Sequence, residues 1–111
     1  MIGTLKLIAS PAYIANAAAN IYTPPASTIY TVVRHIHIAN VTSGAVMFSL
    51  YVGATAGSAG GTQLFGGQSI TANSAFDYYC VMKLLSTEFL SGVASAANSL
   101  VITVEGEMVV V

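Results

Sequence analysis

The stretch FDYYCVMKL, residues 76–84, carries the pattern that decides the fold class. Its side chains fall into two alternating sets, an apolar one of Phe76, Tyr78, Cys80, Met82 and Leu84 and a mixed one of Asp77, Tyr79, Val81 and Lys83. Successive side chains of a β-strand point to opposite faces, so a period of two residues predicts a strand with one apolar face. We therefore predict a β-strand over these residues, with its apolar set facing a core.

The same period recurs on both sides of this stretch. VMFSLYV at residues 46–52 and LVITVE at residues 100–105 alternate in the same way. Residues 28–39 are rich in Ile, Val, Thr and Tyr and predict a long strand, and residues 4–8 predict a shorter one. The NVTSG segment at residues 40–44 has turn chemistry, so we predict that the strands before and after it form an antiparallel hairpin.

The remaining segments read as connections between strands. AYIANAAAN at residues 12–20 is rich in Ala but has neither a helix cap nor an amphipathic stripe, and predicts no more than a short turn. PPAS at residues 24–27 interrupts regular secondary structure, and GATAGSAGG at residues 53–61 predicts a flexible loop. Neither segment separates two halves that would each bury a core, so neither is a domain linker.

These patterns together predict a single all-β domain over residues 1–111. We expect an antiparallel β-sandwich or jelly-roll-like barrel of about seven to eight strands. Residues 1–20 form a candidate N-terminal arm, because a nearly uncharged apolar segment that orders on a neighbouring subunit suits an assembly protein. No internal repeat of about 20 to 50 residues occurs, which excludes a solenoid or a propeller.

Charge is scarce throughout the chain. Charged residues make up 6% of the sequence, against about 25% in an ordinary soluble domain. From Leu7 through Phe76 the single charged side chain is that of Arg34. A lone monomer would expose apolar area in place of charge, and such surfaces tend to associate. We therefore expect this chain to pack against other protein subunits.

Several classes of function are disfavoured by composition. No run of about 18 apolar residues is free of polar interruptions, which argues against a transmembrane helix and a membrane partner. The first 21 residues fit a signal peptide poorly, because Ser10 and Pro11 interrupt the apolar run and Lys6 follows Leu5. Three scattered basic residues and a net charge of −1 argue against nucleic acid as a partner.

The sequence shows no catalytic constellation, so we predict a non-enzyme without a cofactor. Cys80 is the one cysteine and lies in an apolar stretch, which predicts a buried structural residue and excludes an intrachain disulfide. The loop segment AGSAG at residues 56–60 lacks the first Gly of a hydrolase elbow, and no phosphate-binding motif follows it. Asn40 begins a formal glycosylation sequon, which we interpret as chance because export is not expected.

Two pairs of ionisable residues share a strand face. Glu105 and Glu107 are interpreted as the polar face of the last strand and not as a cation site. His35 and His37, two residues apart, would suit a metal site if a third ligand converged on them. Asp77 and Cys80 fall on opposite faces of their strand, so at most one of them would join. No third ligand is apparent in the sequence, so we predict structural histidines and no metal ligands. A metal-dependent enzyme built on the two histidines is the least favoured alternative.

Five segments carry a resemblance to a known class of proteins. They are IYTPP at residues 21–25, TIYTVVRHIHIAN at 28–40, VMFSLYVG at 46–53, AFDYYCVMKL at 75–84 and SGVASAANSLVITVEGEMV at 91–109. Over residues 21–109 the chain resembles small β-sandwich virion proteins of tailed bacteriophages, a class that includes capsid decoration proteins and minor head or tail components. It departs from their pattern at Pro24, where Val is usual, and in the His content of its long strand.

The resemblance implies a symmetric virion component present in many copies, and our leading hypothesis places it on the capsid surface. We expect a decoration or cement protein that binds the major capsid protein and associates with itself as a trimer. Binding only to the assembled shell would stabilise the shell by mass action. The alternative is a tail, baseplate or head-fibre component that contacts a host receptor or glycan through exposed tyrosines and the loop at residues 53–61.

Overall fold

The computed structural model describes residues 4–53 and 62–110, and these contain eight β-strands. The strands are β1 Thr4–Tyr13, β2 Ala19–Tyr22, β3 Thr28–Asn40, β4 Val46–Gly53, β5 Gln63–Ile70, β6 Ala75–Leu85, β7 Phe89–Ala94 and β8 Leu100–Val110. The predicted strands at residues 28–39, 46–52, 76–84 and 100–105 correspond to β3, β4, β6 and β8. Most of the predicted loop at residues 53–61 lies outside the described residues.

The strands form two four-stranded antiparallel sheets that face each other. Sheet 1 has the order β1-β8-β3-β6, and sheet 2 has the order β2-β7-β4-β5. The pairs β1 with β8, β2 with β7, β3 with β6 and β4 with β5 are nested inside one another along the chain. This nested order is that of a jelly roll. The prediction of an antiparallel β-sandwich is therefore confirmed.

The core lies between the two sheets and follows the predicted alternation. Ile36 and Ile38 of β3 point inward from sheet 1, and Phe48 and Leu50 of β4 point inward from sheet 2, all 1% exposed or less. Burying a side chain of this size contributes about 1.5 to 3 kcal/mol each. Because β3 is anchored by these buried side chains, the positions of its outward side chains on the outer face of sheet 1 are fixed.

The predicted hairpin between the third and fourth strands is wrong. β3 belongs to sheet 1 and β4 to sheet 2, so residues 41–45 cross from one sheet to the other. Turn chemistry marks a reversal of the chain but does not decide whether the flanking strands pair. Each of these strands has one face that needs burial, and two facing sheets bury both faces.

A buried asparagine holds this crossing. Asn40 is 2% exposed, and its Nδ2 donates to the carbonyls of Gly44, Ile70 and Thr71 at 2.9, 3.0 and 3.2 Å. Its Oδ1 accepts from the backbone nitrogen and the hydroxyl of Thr42 at 3.0 and 2.7 Å. Because the side-chain amide is buried and bonded, the sequon is not accessible in the folded protein.

The N-terminal strand is longer than the predicted one at residues 4–8. β1 runs to Tyr13 along the edge of sheet 1, with shifts of register between Leu7 and Ala12. An edge position tolerates Pro11, which has no N–H to donate. Ile14, 1% exposed, belongs to the core cluster. Within residues 1–20, the candidate arm, residues 4–14 thus form part of the sandwich. No helix in the described part of the chain is long and apolar enough to cross a membrane.

Candidate functional site

The candidate site lies on the outer face of sheet 1, beside a β-bulge in β3. Val33 is paired with Gly106 and His35 with Glu105, so Arg34 is an extra residue of β3 relative to β8. Directly before the bulge the inward residues are the odd-numbered Thr31 and Val33, and after it they are even-numbered, beginning with Ile36. As a result Arg34 and His35, although consecutive, both project from the outer face. Bulges often re-aim side chains in this way.

A glycine permits the close approach of the two strands at the bulge. Gly106 is buried, and a Cβ placed on it would overlap the carbonyl oxygen of Val32. That atom belongs to the backbone of β3 and is not the end of a flexible side chain. The bulge that presents Arg34 and His35 therefore depends on Gly106.

Two imidazoles converge on one carboxylate oxygen. His35 Nε2 lies 2.7 Å from Asp77 Oδ1, and His37 Nδ1 lies 2.6 Å from the same oxygen. His37 and Asp77 are directly paired across β3 and β6. The three atoms, two ring nitrogens and one carboxylate oxygen, lie within 4.8 Å of one another.

The orientation of the His35 ring is fixed on two further sides. Its Nδ1 lies 3.2 Å from Glu105 Oε1 on β8. The ring of Tyr79 stacks on it with a centroid distance of 4.2 Å and an interplanar angle of 3°. The His35 side chain is 19% exposed, whereas those of His37 and Asp77 are each 40% exposed. The cluster is therefore a partly covered site that solvent reaches from one side.

Proton binding in the cluster is coupled to its charges. Desolvation lowers the pKa of His35, but the hydrogen bonds to Asp77 and Glu105 outweigh it and raise that pKa above the ordinary 6.5. The hydrogen bonds from His37 and His35 lower the pKa of Asp77 below its ordinary value of 3.8. Each shift favours the charged form of its group, as expected for neighbouring opposite charges.

A second ion pair borders the cluster. Arg34 Nη2 lies 2.6 Å from Glu107 Oε2, and Arg34 Nε donates to the same oxygen at 2.8 Å. Both side chains are on the outer face of sheet 1, and this pair follows directly from the bulge at Arg34. Glu105 and Glu107 thus form the polar face of the last strand, as the sequence indicates, and each has a basic partner.

Cys80 lies on the opposite side of β6 from Asp77. Its thiol donates to the carbonyl oxygen of Val33 at 3.3 Å. Burial raises the pKa of the Cys80 thiol, and a raised pKa leaves little thiolate to act as a nucleophile. This position agrees with the structural role expected from the sequence.

The structure corrects one interpretation of the histidines. They share a face, as the period of two predicts. A third side chain that can bind a metal, that of Asp77, does converge on them and contacts both. The spacing within β3 and within β6 was visible in the sequence, whereas the pairing of β3 with β6 was not. Without that pairing, nothing in the sequence placed Asp77 opposite His37.

Exposed apolar side chains flank the polar cluster on both edges of sheet 1. Leu5 and Leu7 of β1 are 62% and 48% exposed, and their partners on β8 are the outward-facing Glu107 and Glu105. On β6 the exposed apolar side chains are Tyr79 at 74%, Val81 at 74% and Leu85 at 52%. The outer face of sheet 1 therefore has a charged centre with exposed apolar side chains at both edges, and the exposed Lys83 lies between Val81 and Leu85 at the β6 edge.

Comparisons with known proteins add no functional information. No family model matches this chain, and neither the curated proteins nor the solved structures contain a match. The functional conclusion therefore depends on the residues, the fold and the geometry of this face.

Proposed function

We propose that this chain is a non-enzymatic virion structural protein, a capsid decoration protein that binds the head shell of a tailed bacteriophage through the outer face of sheet 1. The observation that carries the proposal is the set of large apolar side chains exposed on this face in a chain with 6% charged residues. Exposed apolar patches of this kind mark surfaces that bind another protein. The class of partner, a phage head shell, is proposed from the expected resemblance of residues 21–109 to phage virion proteins.

The size of the face suits a specific interface. Four strands spaced about 4.8 Å apart and about ten residues long give a face of roughly 650 Å². A standard interface buries about 800 Å² on each partner. The face of sheet 1 is of that order, and the edge strands β1 and β6 add main-chain groups for pairing with a neighbouring strand.

The charged centre gives this face specificity. Arg34 and Glu107 pair with each other and Glu105 contacts His35, so a partner must leave these pairs intact and satisfy the polar atoms that they still expose, because burying an unsatisfied charged group is costly. The apolar side chains at the edges supply the area, and the charged centre selects the orientation. Binding only to the assembled shell then stabilises the shell by mass action, by RT ln(1 + [L]/Kd) for each site. This mechanism requires no catalytic group.

Electron cryomicroscopy of the particle that carries this chain tests the proposal. We expect many copies over the capsid surface, grouped as trimers, with the outer face of sheet 1 in contact with protein. A few copies at a vertex or tail tip would overturn the decoration role and favour the receptor-binding alternative.

A pair of matched variants tests the face itself. Val81→Glu places a charge at a 74% exposed valine on the outer face of sheet 1, whereas Val41→Glu places one at a 52% exposed valine in the crossing between the sheets. In a sedimentation assay with phage heads that lack this protein, we expect Val81→Glu to raise the dissociation constant by at least about tenfold, which corresponds to about 1.4 kcal/mol. Val41→Glu should bind like the wild type. Equal binding by both variants would contradict the use of this face.

A further inference from the structure

We propose that His35, His37 and Asp77 bind one divalent transition-metal ion, of the zinc class, on the outer face of sheet 1. The site lies on the face that we propose binds the head shell, but the metal proposal concerns the free chain and does not rest on the capsid role. It concerns His35 Nε2, His37 Nδ1 and Asp77 Oδ1, which lie within 4.8 Å of one another. Two imidazoles and one carboxylate leave positions open for water, as in sites with three protein ligands.

The ring nitrogens of His35 and His37 converge on a single carboxylate oxygen. Asp77 Oδ1 lies 2.7 Å from His35 Nε2 and 2.6 Å from His37 Nδ1. Ligands of a tetrahedral zinc ion with bonds of about 2.0 to 2.1 Å lie about 3.3 Å apart. To admit the ion, the Asp77 oxygen has to move away from each ring nitrogen by about 0.6 to 0.7 Å. The two ring nitrogens, which lie within 4.8 Å of each other, have to approach to about 3.3 Å. The 40% exposed side chains of His37 and Asp77 have room for these shifts.

The contact between His35 and Glu105 orients the His35 ring for metal binding. In a neutral imidazole one ring nitrogen carries hydrogen and the other presents a lone pair. In the neutral form of His35 with Nδ1–H donated to Glu105 Oε1 at 3.2 Å, the Nε2 lone pair faces the Asp77 oxygen in place of the hydrogen bond made by the charged ring. A cation placed between these two acceptors satisfies both. A carboxylate that orients a ligating histidine is the usual outer-shell arrangement of zinc sites.

The three ligand side chains are held in place before a metal ion binds. Tyr79 stacks on the His35 ring at 4.2 Å, and His37 and Asp77 are held opposite each other by the pairing of β3 with β6. The ligands therefore stand on two adjacent strands of one sheet and not on loops. Imidazole donors select zinc, copper, nickel or iron over calcium and magnesium, which prefer oxygen ligands.

Metal binding to tag-free protein is the first test. We expect Zn²⁺ to bind with a stoichiometry of one per chain in isothermal titration calorimetry. In NMR spectra the ring resonances of His35 and His37 should shift together on addition of Zn²⁺. Failure of millimolar Zn²⁺ and Co²⁺ to shift these resonances in the wild-type protein would overturn the proposal without the use of any variant.

Three variants separate this site from adventitious binding. Asp77→Asn and His37→Gln each remove one ligand, and we expect each to weaken Zn²⁺ binding by at least tenfold. Glu107→Gln is the matched control. It removes a carboxylate from the same face, but that carboxylate pairs with Arg34 and contacts none of the three ligands. It should bind Zn²⁺ within twofold of the wild type. Wild-type affinity in folded Asp77→Asn and His37→Gln proteins, checked by circular dichroism, would also overturn the proposal.

Glu105→Gln tests the positioning role of Glu105. Loss of an outer-shell carboxylate typically weakens metal binding by about 10- to 100-fold. We expect a loss in this range together with unchanged stoichiometry, because the three ligands remain. An unchanged affinity would show that Glu105 does not orient His35.

Discussion

At the scale of single residues, two carboxylates control the protonation of His35 on the outer face of sheet 1. The titratable groups that face His35 are Asp77 and Tyr79 on β6, Glu105 on β8 and His37 on its own strand. Two of them are carboxylates within hydrogen-bond distance, and they hold the pKa of His35 above 6.5 against the effect of desolvation. The folded protein therefore binds a proton at His35 more tightly than the unfolded chain does.

This coupling predicts how the stability of the metal-free protein depends on pH. The raised pKa of His35 contributes stability that is fully present below pH 6.5 and is lost as the pH rises through the folded-state pKa. The lowered pKa of Asp77 contributes stability that is present above pH 3.8 and is lost as the pH falls through its folded-state value. Both contributions are therefore present between these two pH values.

Urea unfolding in the presence of a chelator, from pH 5.5 to 8.5, checks the histidine part of this prediction. We expect the free energy of unfolding of the wild type to fall with pH relative to that of His35→Gln, which has no proton to release. Parallel pH profiles for the two proteins would refute the coupling. NMR titration of the His35 ring gives its pKa directly.

At the scale of elements, the bulge in β3 decides which side chains reach the site. Gly106→Ala places a methyl group against the backbone of Val32, and we expect it to destabilise the fold by about 3 kcal/mol or more, since overpacking against backbone forces strands apart. Gly44→Ala is the control, because a Cβ there meets no atom within 4 Å. It should change stability by no more than about 0.5 kcal/mol in urea unfolding. Equal stability of the two variants would show that the bulge tolerates a side chain at residue 106.

The strands show how far local pattern predicts this fold. The alternation at residues 76–84 and 46–52 predicted β6 and β4 because each strand buries one face. β5, with the sequence QLFGGQSI, has two adjacent glycines and mostly exposed side chains, so it has no such signal. Its place in sheet 2 is set by pairing with β4. Strand pairing also explains the missed ligand, since Asp77 meets the histidines across strands from residues 40 or more positions away.

At the scale of the whole molecule, a buried hydrogen bond joins the two sheets. Tyr22 of sheet 2 and Thr31 of sheet 1 are 5% and 0% exposed, and their hydroxyl oxygens are 2.6 Å apart. Removing one partner leaves the other hydroxyl buried without this bond. Tyr22→Phe and Thr31→Val should each therefore destabilise the protein by about 1 to 3 kcal/mol.

The double variant distinguishes this bond from simple packing. Replacing both partners by apolar groups is nearly neutral where a hydrogen bond is the main term, so the two losses should not add in a double-mutant cycle. Tyr13→Phe, at a tyrosine that is 54% exposed, is the control and should change stability by no more than about 0.5 kcal/mol. Additive losses would indicate that the two residues act separately.

The nested pairing of the strands has a consequence for synthesis on the ribosome. β1 lies at the edge of sheet 1 with β8 beside it, and β3 lies between β8 and β6. At about 5 to 20 residues per second, β1 leaves the ribosome several seconds before β8. During that interval the nascent β1 has an unpaired edge, and the same strand of a neighbouring nascent chain is available to it before its own β8 is. We therefore expect pairing between the β1 strands of neighbouring nascent chains to compete with native closure, and wide spacing of ribosomes along the messenger to favour pairing of β1 with β8 of its own chain.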